Sequence, residues 1–186
     1  MKEDSFDKGI SNLPRLQRRL KRPITTNING YYYYVSPIES TPDAIDPLLL
    51  HEIAQEIINL GLTNDVDLIF CLEAMGIAIA CTIAQITGIK MCIARKKDLE
   101  LKFSLEFDSS THYSNRKFYV YCPIVGKRVL IVDDVIASGN TMRSAIKALK
   151  AGGAQISSCV SLVAKADSVK NLRSELGIDV VSLAHI

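Results

Sequence analysis

The residues best suited to chemistry stand together in one stretch, Val129–Thr141, which reads VLIVDDVIASGNT. Four apolar residues, Val129–Val132, predict a buried strand, and two carboxylates, Asp133 and Asp134, follow at once. A loop of small residues, Ala137–Thr141, then leads into a helical pattern. Free backbone N–H groups and the helix dipole favour a phosphate at such a helix N-terminus. Paired aspartates suit either a Mg²⁺ ion or the hydroxyls of a sugar. The stretch therefore predicts a site for a ribose 5-phosphate.

Strands and helices alternate around this stretch, and this alternation must position it. Apolar runs predict strands at Asp67–Leu72, Ile89–Ala94, Val129–Val132, Gln155–Ala164 and Ile178–Leu183. Helical patterns are found at Leu48–Leu60, at Ile77–Thr87, between Thr141 and Gly152, and at Ser168–Leu176. The order predicts an α/β fold with a parallel five-stranded sheet flanked by helices and joined by right-handed crossovers. Ligands of such folds bind at the carboxyl ends of the strands.

Two more groups of residues follow predicted strands and so belong to the same edge. The first is the tight turn Glu73-Ala74-Met75-Gly76, where the glycine permits close approach of the backbone to an anion. The second is Arg95-Lys96-Lys97, whose cations could neutralise a departing pyrophosphate. Glu73 would repel that group, unless it binds Mg²⁺ or holds a basic neighbour. A commonplace βα turn and a solvated lysine cluster are the plainer interpretations of the two groups.

Composition favours one globular domain. The 186 residues are 48% hydrophobic and 23% charged, with a net charge of +2, so neither nucleic acid nor a membrane is indicated as a partner. Leu13, Leu16 and Leu20 lie at helical spacing among basic residues, and a solvated amphipathic helix fits them better than a nucleic-acid arm. The five cysteines lie in apolar runs without ligand spacing, which predicts free buried thiols and a cytoplasmic protein.

Two segments fall outside the alternation. Residues 1–45 hold the basic helix and the aromatic run Gly30–Val35, which predicts an edge strand or hairpin. Residues 95–122 predict a binding loop or lid, with Leu99–Glu106 pairing with Lys117–Cys122 as a β-excursion. His112, Tyr113 and Ser114 are its candidate site residues.

These motifs, in this order, resemble the type I phosphoribosyltransferases, and most of all the archaeal-type hypoxanthine/guanine phosphoribosyltransferases. The resemblance rests on Tyr32–Pro42, Asp46–Ala54, Leu72–Ala80, Ala94–Lys97, His112–Ser114 and the stretch Val129–Thr141. This branch is close to the adenine phosphoribosyltransferases. The resemblance implies a sheet core with a hood over the base, a homodimer, Mg²⁺, and 5-phosphoribosyl-1-pyrophosphate (PRPP) as substrate with a purine base.

The resemblance also implies a role for each group of residues. Asp133 and Asp134 would orient the ribose hydroxyls as catalytic residues, with a tentative contact to the metal. Val135 and Ile136 would form an apolar floor under the base. The 5-phosphate would lie on Ala137, Ser138, Gly139, Asn140 and Thr141. Pyrophosphate would face Glu73, Ala74, Met75, Gly76, Arg95 and Lys96. The expected reaction is purine salvage: hypoxanthine or guanine attacks the anomeric carbon and forms IMP or GMP with loss of pyrophosphate.

Two departures from the family pattern leave the choice of base open. Classical hypoxanthine-guanine enzymes carry an aspartate for the purine N7 where this chain has Ala137, so that group must come from the lid, the hood or a water. Asn140 replaces a more usual glycine, and asparagine tolerates the left-handed conformation. Adenine or xanthine as the base, or a non-catalytic PRPP sensor that regulates another process, are the alternatives.

Overall fold

The computed structural model describes residues 13–28, 30–101, 105–111 and 114–186. Five parallel strands form its central sheet: β3 (Leu68–Leu72), β4 (Met91–Ala94), β7 (Arg128–Ile136), β8 (Gln155–Ala164) and β9 (Asp179–His185), in the order β4-β3-β7-β8-β9. This confirms the α/β fold with a five-stranded parallel sheet that the sequence predicts. Because strand order reverses between β3 and β7, the loops after these two strands open toward one crevice.

Side chains along the strands alternate between the two faces of the sheet, and both faces are buried. On one face Phe70, Leu72 and Ile131 join a cluster that includes Met142 and Leu172 from the helices. On the other face the intervening strand residues pack against helices: Ile69, Cys71, Leu130 and Val132. A strand covered on both faces has no polar side, which is why these runs are apolar throughout.

Five helices flank the sheet: α1 (Pro14–Leu20), α2 (Pro47–Asn59), α3 (Gly76–Thr87), α4 (Asn140–Ala151) and α5 (Ala166–Leu176). At the start of helix α2 the Asp46 side chain accepts a hydrogen bond from the Leu48 amide, and Pro47 stands in the first turn, which is typical of a helix N-terminus. Among the described residues, no helix is both long enough and apolar enough to cross a bilayer.

Two hairpins stand outside the sheet. Strands β1 (Thr25–Ile28) and β2 (Tyr31–Tyr34) pair antiparallel at the predicted aromatic run. Strands β5 (Leu105–Thr111) and β6 (Ser114–Val120) form the predicted excursion. The predicted pairing of Leu99–Glu106 with Lys117–Cys122 is confirmed only for Leu105 with Val120 and Glu106 with Tyr119, and the ladder continues from there to Thr111 and Ser114. Weak alternation could not fix where pairing starts: the Leu99 amide donates to the Tyr121 hydroxyl, and the strand begins only at Leu105.

The prediction that all five cysteines are free thiols is also wrong. Cys92 and Cys122 form a disulfide bond, with Cα atoms 6.2 Å apart. The hairpin β5–β6 returns the chain to β4, where Arg95 and Tyr119 form a β-bridge, and so brings together two cysteines 30 residues apart. Among the described residues, Cys71, Cys81 and Cys159 remain free. Burial raises the pKa of Cys71 to about 12.

Candidate active site

A cleft of about 350 Å³ opens at the carboxyl edge of the sheet, where β3, β7 and β8 end. Most of the predicted site residues line it. They are Asp133, Asp134, Val135, Ile136, Ala137, Ser138, Gly139, Asn140, Thr141, Glu73, Ala74, Met75 and Lys96. Parallel strands present their carboxyl ends to one side, which explains why residues some sixty positions apart share one cavity.

The two aspartates belong to strand β7, which runs through Ile136 instead of ending at Val132. Strand β7 pairs with β8 up to its last residue, with Val135 opposite Val163 and Ile136 opposite Ala164. The backbone of β7 is therefore extended throughout. The loop starts at Ala137, as the sequence predicts, but its last two residues, Asn140 and Thr141, already belong to the first turn of α4. Consecutive strand residues point to opposite faces, which turns Asp133 and Asp134 in different directions although both reach the cleft.

Asp133 is the more confined of the two carboxylates. Its Oδ1 accepts a hydrogen bond from the Asp134 amide at 3.0 Å. Burial, and then the neighbouring charge of Asp134, raise the pKa of Asp133 well above its ordinary range, while Lys96 offsets part of the effect. The surroundings of the Asp133 carboxyl supply little positive charge. A cation or hydroxyl donors bound there would therefore stabilise its ionised form.

The loop Ala137–Thr141 is held from several sides. Gly139 has φ +77° and precedes α4 as its N-cap, a conformation that a glycine adopts without strain. The Ser168 hydroxyl donates to the Ala137 carbonyl at 2.6 Å. On the other side, Ser109 Oγ of strand β5 lies 2.7 Å from Thr141 Oγ1, and Ser109 is only 1% exposed. The loop is thus preorganised by α5 and by the excursion.

The turn after β3 packs against the aspartate strand. A Cβ added at Gly76 would lie 2.9 Å from the Val132 carbonyl oxygen and 3.4 Å from Asp133 Oδ1, so a larger residue does not fit. The Glu73 carboxylate accepts a hydrogen bond from the Lys96 amide at 2.7 Å. The contact is made by the backbone of Lys96 and not by its ammonium group, so it is not the contact with a basic side chain that the sequence suggested.

Some predicted site residues lie elsewhere. Gly76 and Arg95 are not among the residues that line the cleft. The former is covered by Val132, and the latter uses its backbone to bridge Tyr119. His112 and Tyr113 lie outside the described residues, and for Ser114 only the backbone is described, as the first residue of β6.

The cleft also contains residues that the sequence analysis did not name as site residues. They are Tyr33, Tyr34 and Glu39 from the N-terminal segment, Arg116 and Phe118 from the excursion, Lys165 after β8, and Ile186 after β9. Lys165 directly follows β8, so the strand-end rule that found Glu73 and Asp133 also points to it. No such rule points to Glu39 or Arg116, since a hood turn and a hairpin register are not readable from one sequence.

The described residues contain no cluster of three or more histidine, cysteine, aspartate or glutamate side chains suited to holding a metal by themselves. A Mg²⁺ ion, however, needs only one or two carboxylates when substrate phosphates and waters complete its coordination. The adjacent carboxylates of Asp133 and Asp134, which both line the cleft, fit that pattern.

Comparison with known proteins agrees with this geometry. The phosphoribosyl transferase domain family matches residues 43–176. The chain is 39% identical to the hypoxanthine/guanine phosphoribosyltransferase of Methanohalophilus mahii over 171 residues, which cover 92% of this chain and 89% of the relative. It is 37% identical to the protein of the same name from Methanosarcina acetivorans over 167 residues, which cover 90% and 87% of the two chains.

Solved structures share the fold at lower identity. The adenine phosphoribosyltransferase of Rhodothermus marinus superposes with a TM-score of 0.75 at 19% identity, covering 94% of this chain and all of that one (100%). The enzyme of Giardia lamblia bound to 9-deazaadenine gives a TM-score of 0.76 at 16% identity, covering 92% and 97%. At such identities the likeness establishes the fold.

Proposed function

Because the chain belongs to the phosphoribosyltransferase family, we propose that it transfers the 5-phosphoribosyl group of PRPP to hypoxanthine or guanine, forming IMP or GMP and pyrophosphate. The observation that carries this proposal is the meeting of the aspartate pair, Asp133 and Asp134, with the phosphate-type loop Ala137–Thr141 in one cleft. The names of the archaeal relatives support the same reaction.

The ribose phosphate is bound at β7 and the start of α4. The backbone N–H groups of Ala137–Thr141 and the hydroxyls of Ser138 and Thr141 hold the 5-phosphate, helped by the dipole of α4. Asp133 and Asp134 accept hydrogen bonds from the ribose hydroxyls. Because charge develops on the ribose ring as pyrophosphate leaves, these carboxylates stabilise an oxocarbenium-like transition state.

The pyrophosphate group is bound at the turn after β3 and the end of β4. Ala74 and Met75 of the turn line the cleft and offer backbone N–H groups, and the Lys96 ammonium supplies a positive charge. Glu73 orients the segment that carries Lys96 through the 2.7 Å hydrogen bond to its amide. Asp133 or Asp134 would hold a Mg²⁺ ion, which would supply positive charge for the leaving group.

The base lies against Val135 and Ile136, with Lys165 at its edge. The Lys165 ammonium lines the cleft and has no hydrogen bond or ion pair among the described residues. An ammonium group donates to the exocyclic oxygen of a 6-oxopurine but not to the exocyclic amino group of adenine, which is itself a donor. This asymmetry favours hypoxanthine and guanine over adenine.

The remaining expectations belong to the same proposal. Following the family resemblance, we propose a homodimer and Mg²⁺ as cofactor. Following the composition and the cysteine pattern, we propose no nucleic-acid or membrane partner and a cytoplasmic location. The chain folds as one phosphoribosyltransferase domain, residues 1–186, with residues 1–45 contributing the hood and 95–122 the lid. Closure of the lid excludes water, which would otherwise hydrolyse the activated sugar.

The proposal is tested by offering PRPP and Mg²⁺ with hypoxanthine, guanine, xanthine and adenine separately and measuring kcat/KM for each. We expect kcat/KM for hypoxanthine and for guanine to exceed kcat/KM for adenine by at least about tenfold, the equivalent of about 1.4 kcal/mol. Lys165→Met should lower the rate with hypoxanthine and leave the low rate with adenine nearly unchanged. A preference for adenine or xanthine would support the alternative enzymes. Retained PRPP binding without turnover of any base would support a sensor.

A further inference from the structure

Arg116 on strand β6 is a charged residue of the cleft for which the sequence pattern suggests no role. We propose that Arg116 binds the 5-phosphate of the sugar substrate, on the side of that phosphate opposite the loop Ala137–Thr141. The inference rests on the proposed function, since it takes PRPP as the ligand. It adds a cation from the excursion to a phosphate site otherwise built from β7 and α4.

Alternation along β6 places Arg116 on the inward-facing side of the strand, where its side chain is exposed to the cleft. Phe118 and Val120 share its face of the strand, and they are buried, with 2% and 1% of their surface exposed. Lys117 lies on the other face, is exposed, and forms an ion pair with Glu106 at 3.0 Å. The cleft correspondingly includes Arg116 and Phe118 among its walls.

The strand register brings Arg116 to the phosphate loop. Its partner in the antiparallel pair is Ser109, and directly opposed side chains lie on one face with Cβ atoms about 4.5–5.5 Å apart. Ser109 Oγ in turn lies 2.7 Å from Thr141 Oγ1, the last residue of the loop. One short cross-strand step and one hydrogen bond therefore separate the base of the Arg116 side chain from the loop, and an arginine side chain is long enough to reach across that gap.

Charge supports the same assignment. The loop Ala137–Thr141 supplies backbone N–H groups and hydroxyls but no cationic side chain, whereas a phosphate monoester carries close to two negative charges. Arg143, in the first turn of α4, is engaged with Glu175 at 2.6 Å and with Asn140 at 2.8 Å. The Arg116 side chain forms no ion pair or hydrogen bond with another described residue, and a guanidinium matches phosphate oxygens in a bidentate fork.

The test compares Arg116→Gln and Arg116→Lys with the control Lys117→Gln, whose side chain points away from the cleft. Calorimetry measures binding of two separate probes, ribose 5-phosphate and inorganic pyrophosphate with Mg²⁺. We expect Arg116→Gln to weaken the binding of ribose 5-phosphate by at least about tenfold, as loss of a charge-assisted contact should. Binding of pyrophosphate should weaken by less than about threefold. Arg116→Lys should weaken ribose 5-phosphate less than Arg116→Gln, and the control should bind both probes as the unmodified chain does.

Two outcomes overturn the inference: unchanged binding of ribose 5-phosphate to Arg116→Gln, or a loss confined to pyrophosphate. The melting temperature of each variant is also measured to check that it is folded. If Arg116→Gln does not fold, Arg116→Lys is compared with the unmodified chain instead. The unmodified chain separates this inference from the proposed function. If it binds neither probe and turns over no base, the proposed function fails. If it binds ribose 5-phosphate as tightly as Arg116→Gln does, only the role of Arg116 fails.

Discussion

Gly139→Ala perturbs the phosphate loop at the position where its geometry is most constrained. The residue has φ +77° and is the N-cap of α4. An added Cβ would lie 3.2 Å from Leu172 Cδ1 and 3.3 Å from its Cγ. Leu172 of α5 is fully buried in the protein core, so its side chain cannot move into solvent to make room. The substitution therefore combines an unfavourable backbone conformation with crowding.

The expected cost follows from three contributions. A left-handed conformation costs a non-glycine residue about 1–2 kcal/mol. The smaller conformational freedom of alanine in the unfolded chain returns about 0.4–1 kcal/mol. Crowding against Leu172 adds at least about 1 kcal/mol, the lower end of the range for overpacked cores. Gly139→Ala should thus lower the free energy of unfolding by about 2 kcal/mol, or the melting temperature by roughly 4–8 °C for a chain of this size.

Gly88→Ala is the matched control. Gly88 has φ +74° at the end of α3, and no atom lies within 4 Å of its added Cβ. Urea unfolding of both variants should give a loss of roughly 1 kcal/mol for the control, from the backbone contributions alone. Gly139→Ala should in addition raise KM for PRPP, because the loop shifts. Equal stability losses in the two variants would refute the argument from the Leu172 contact.

The remaining predictions concern the acidic residues. Asp134→Asn should lower kcat/KM by at least about tenfold, as a transition-state contact worth about 1.4 kcal/mol requires, and an unchanged value would remove Asp134 from the ribose site. Asp133 has a raised pKa in the folded protein, so its contribution to stability is present below the unfolded pKa and is lost as pH rises through the folded pKa. Without Mg²⁺, Asp133→Asn should therefore be more stable than the unmodified chain at pH 7, by about 0.5–2 kcal/mol, and the gain should disappear in acid; urea unfolding at both pH values checks this. In steady-state assays Glu73→Ala should reduce kcat/KM more than Glu73→Gln, because the glutamine amide oxygen still accepts a hydrogen bond from the Lys96 amide. Equal losses in the two variants would show that the charge of Glu73 matters and its hydrogen bond does not.

The fold was predictable where local pattern and global topology agree. Runs such as Leu68–Leu72 are apolar because both faces of the sheet are covered, and the intervening helices show their own spacing. The strand-end rule then gathers Glu73, Lys96 and Asp133 at one edge without any knowledge of distances. The same rule failed to show that β7 continues to Ile136, because the acidic pair looks like the end of an apolar run.

Features that depend on the excursion could not be predicted. The position of Arg116 in the cleft requires the register of β5 and β6, and two strands of mixed polarity do not specify that register by pattern. The same excursion brings Cys122 to Cys92, a pairing that scattered cysteines in apolar runs do not suggest. The hydrogen bond between Ser109 and Thr141 is equally a product of tertiary packing.

The central claim is that this cleft carries the ribose phosphate of PRPP from pyrophosphate to a purine base. Phosphorus NMR on the chain with PRPP, Mg²⁺ and hypoxanthine tests it most directly, because substrate and both products are seen in one sample. We predict loss of the PRPP signals with equal growth of pyrophosphate and a nucleoside monophosphate. Persistence of PRPP, or its conversion into ribose 5-phosphate and pyrophosphate without a nucleotide, would contradict the claim.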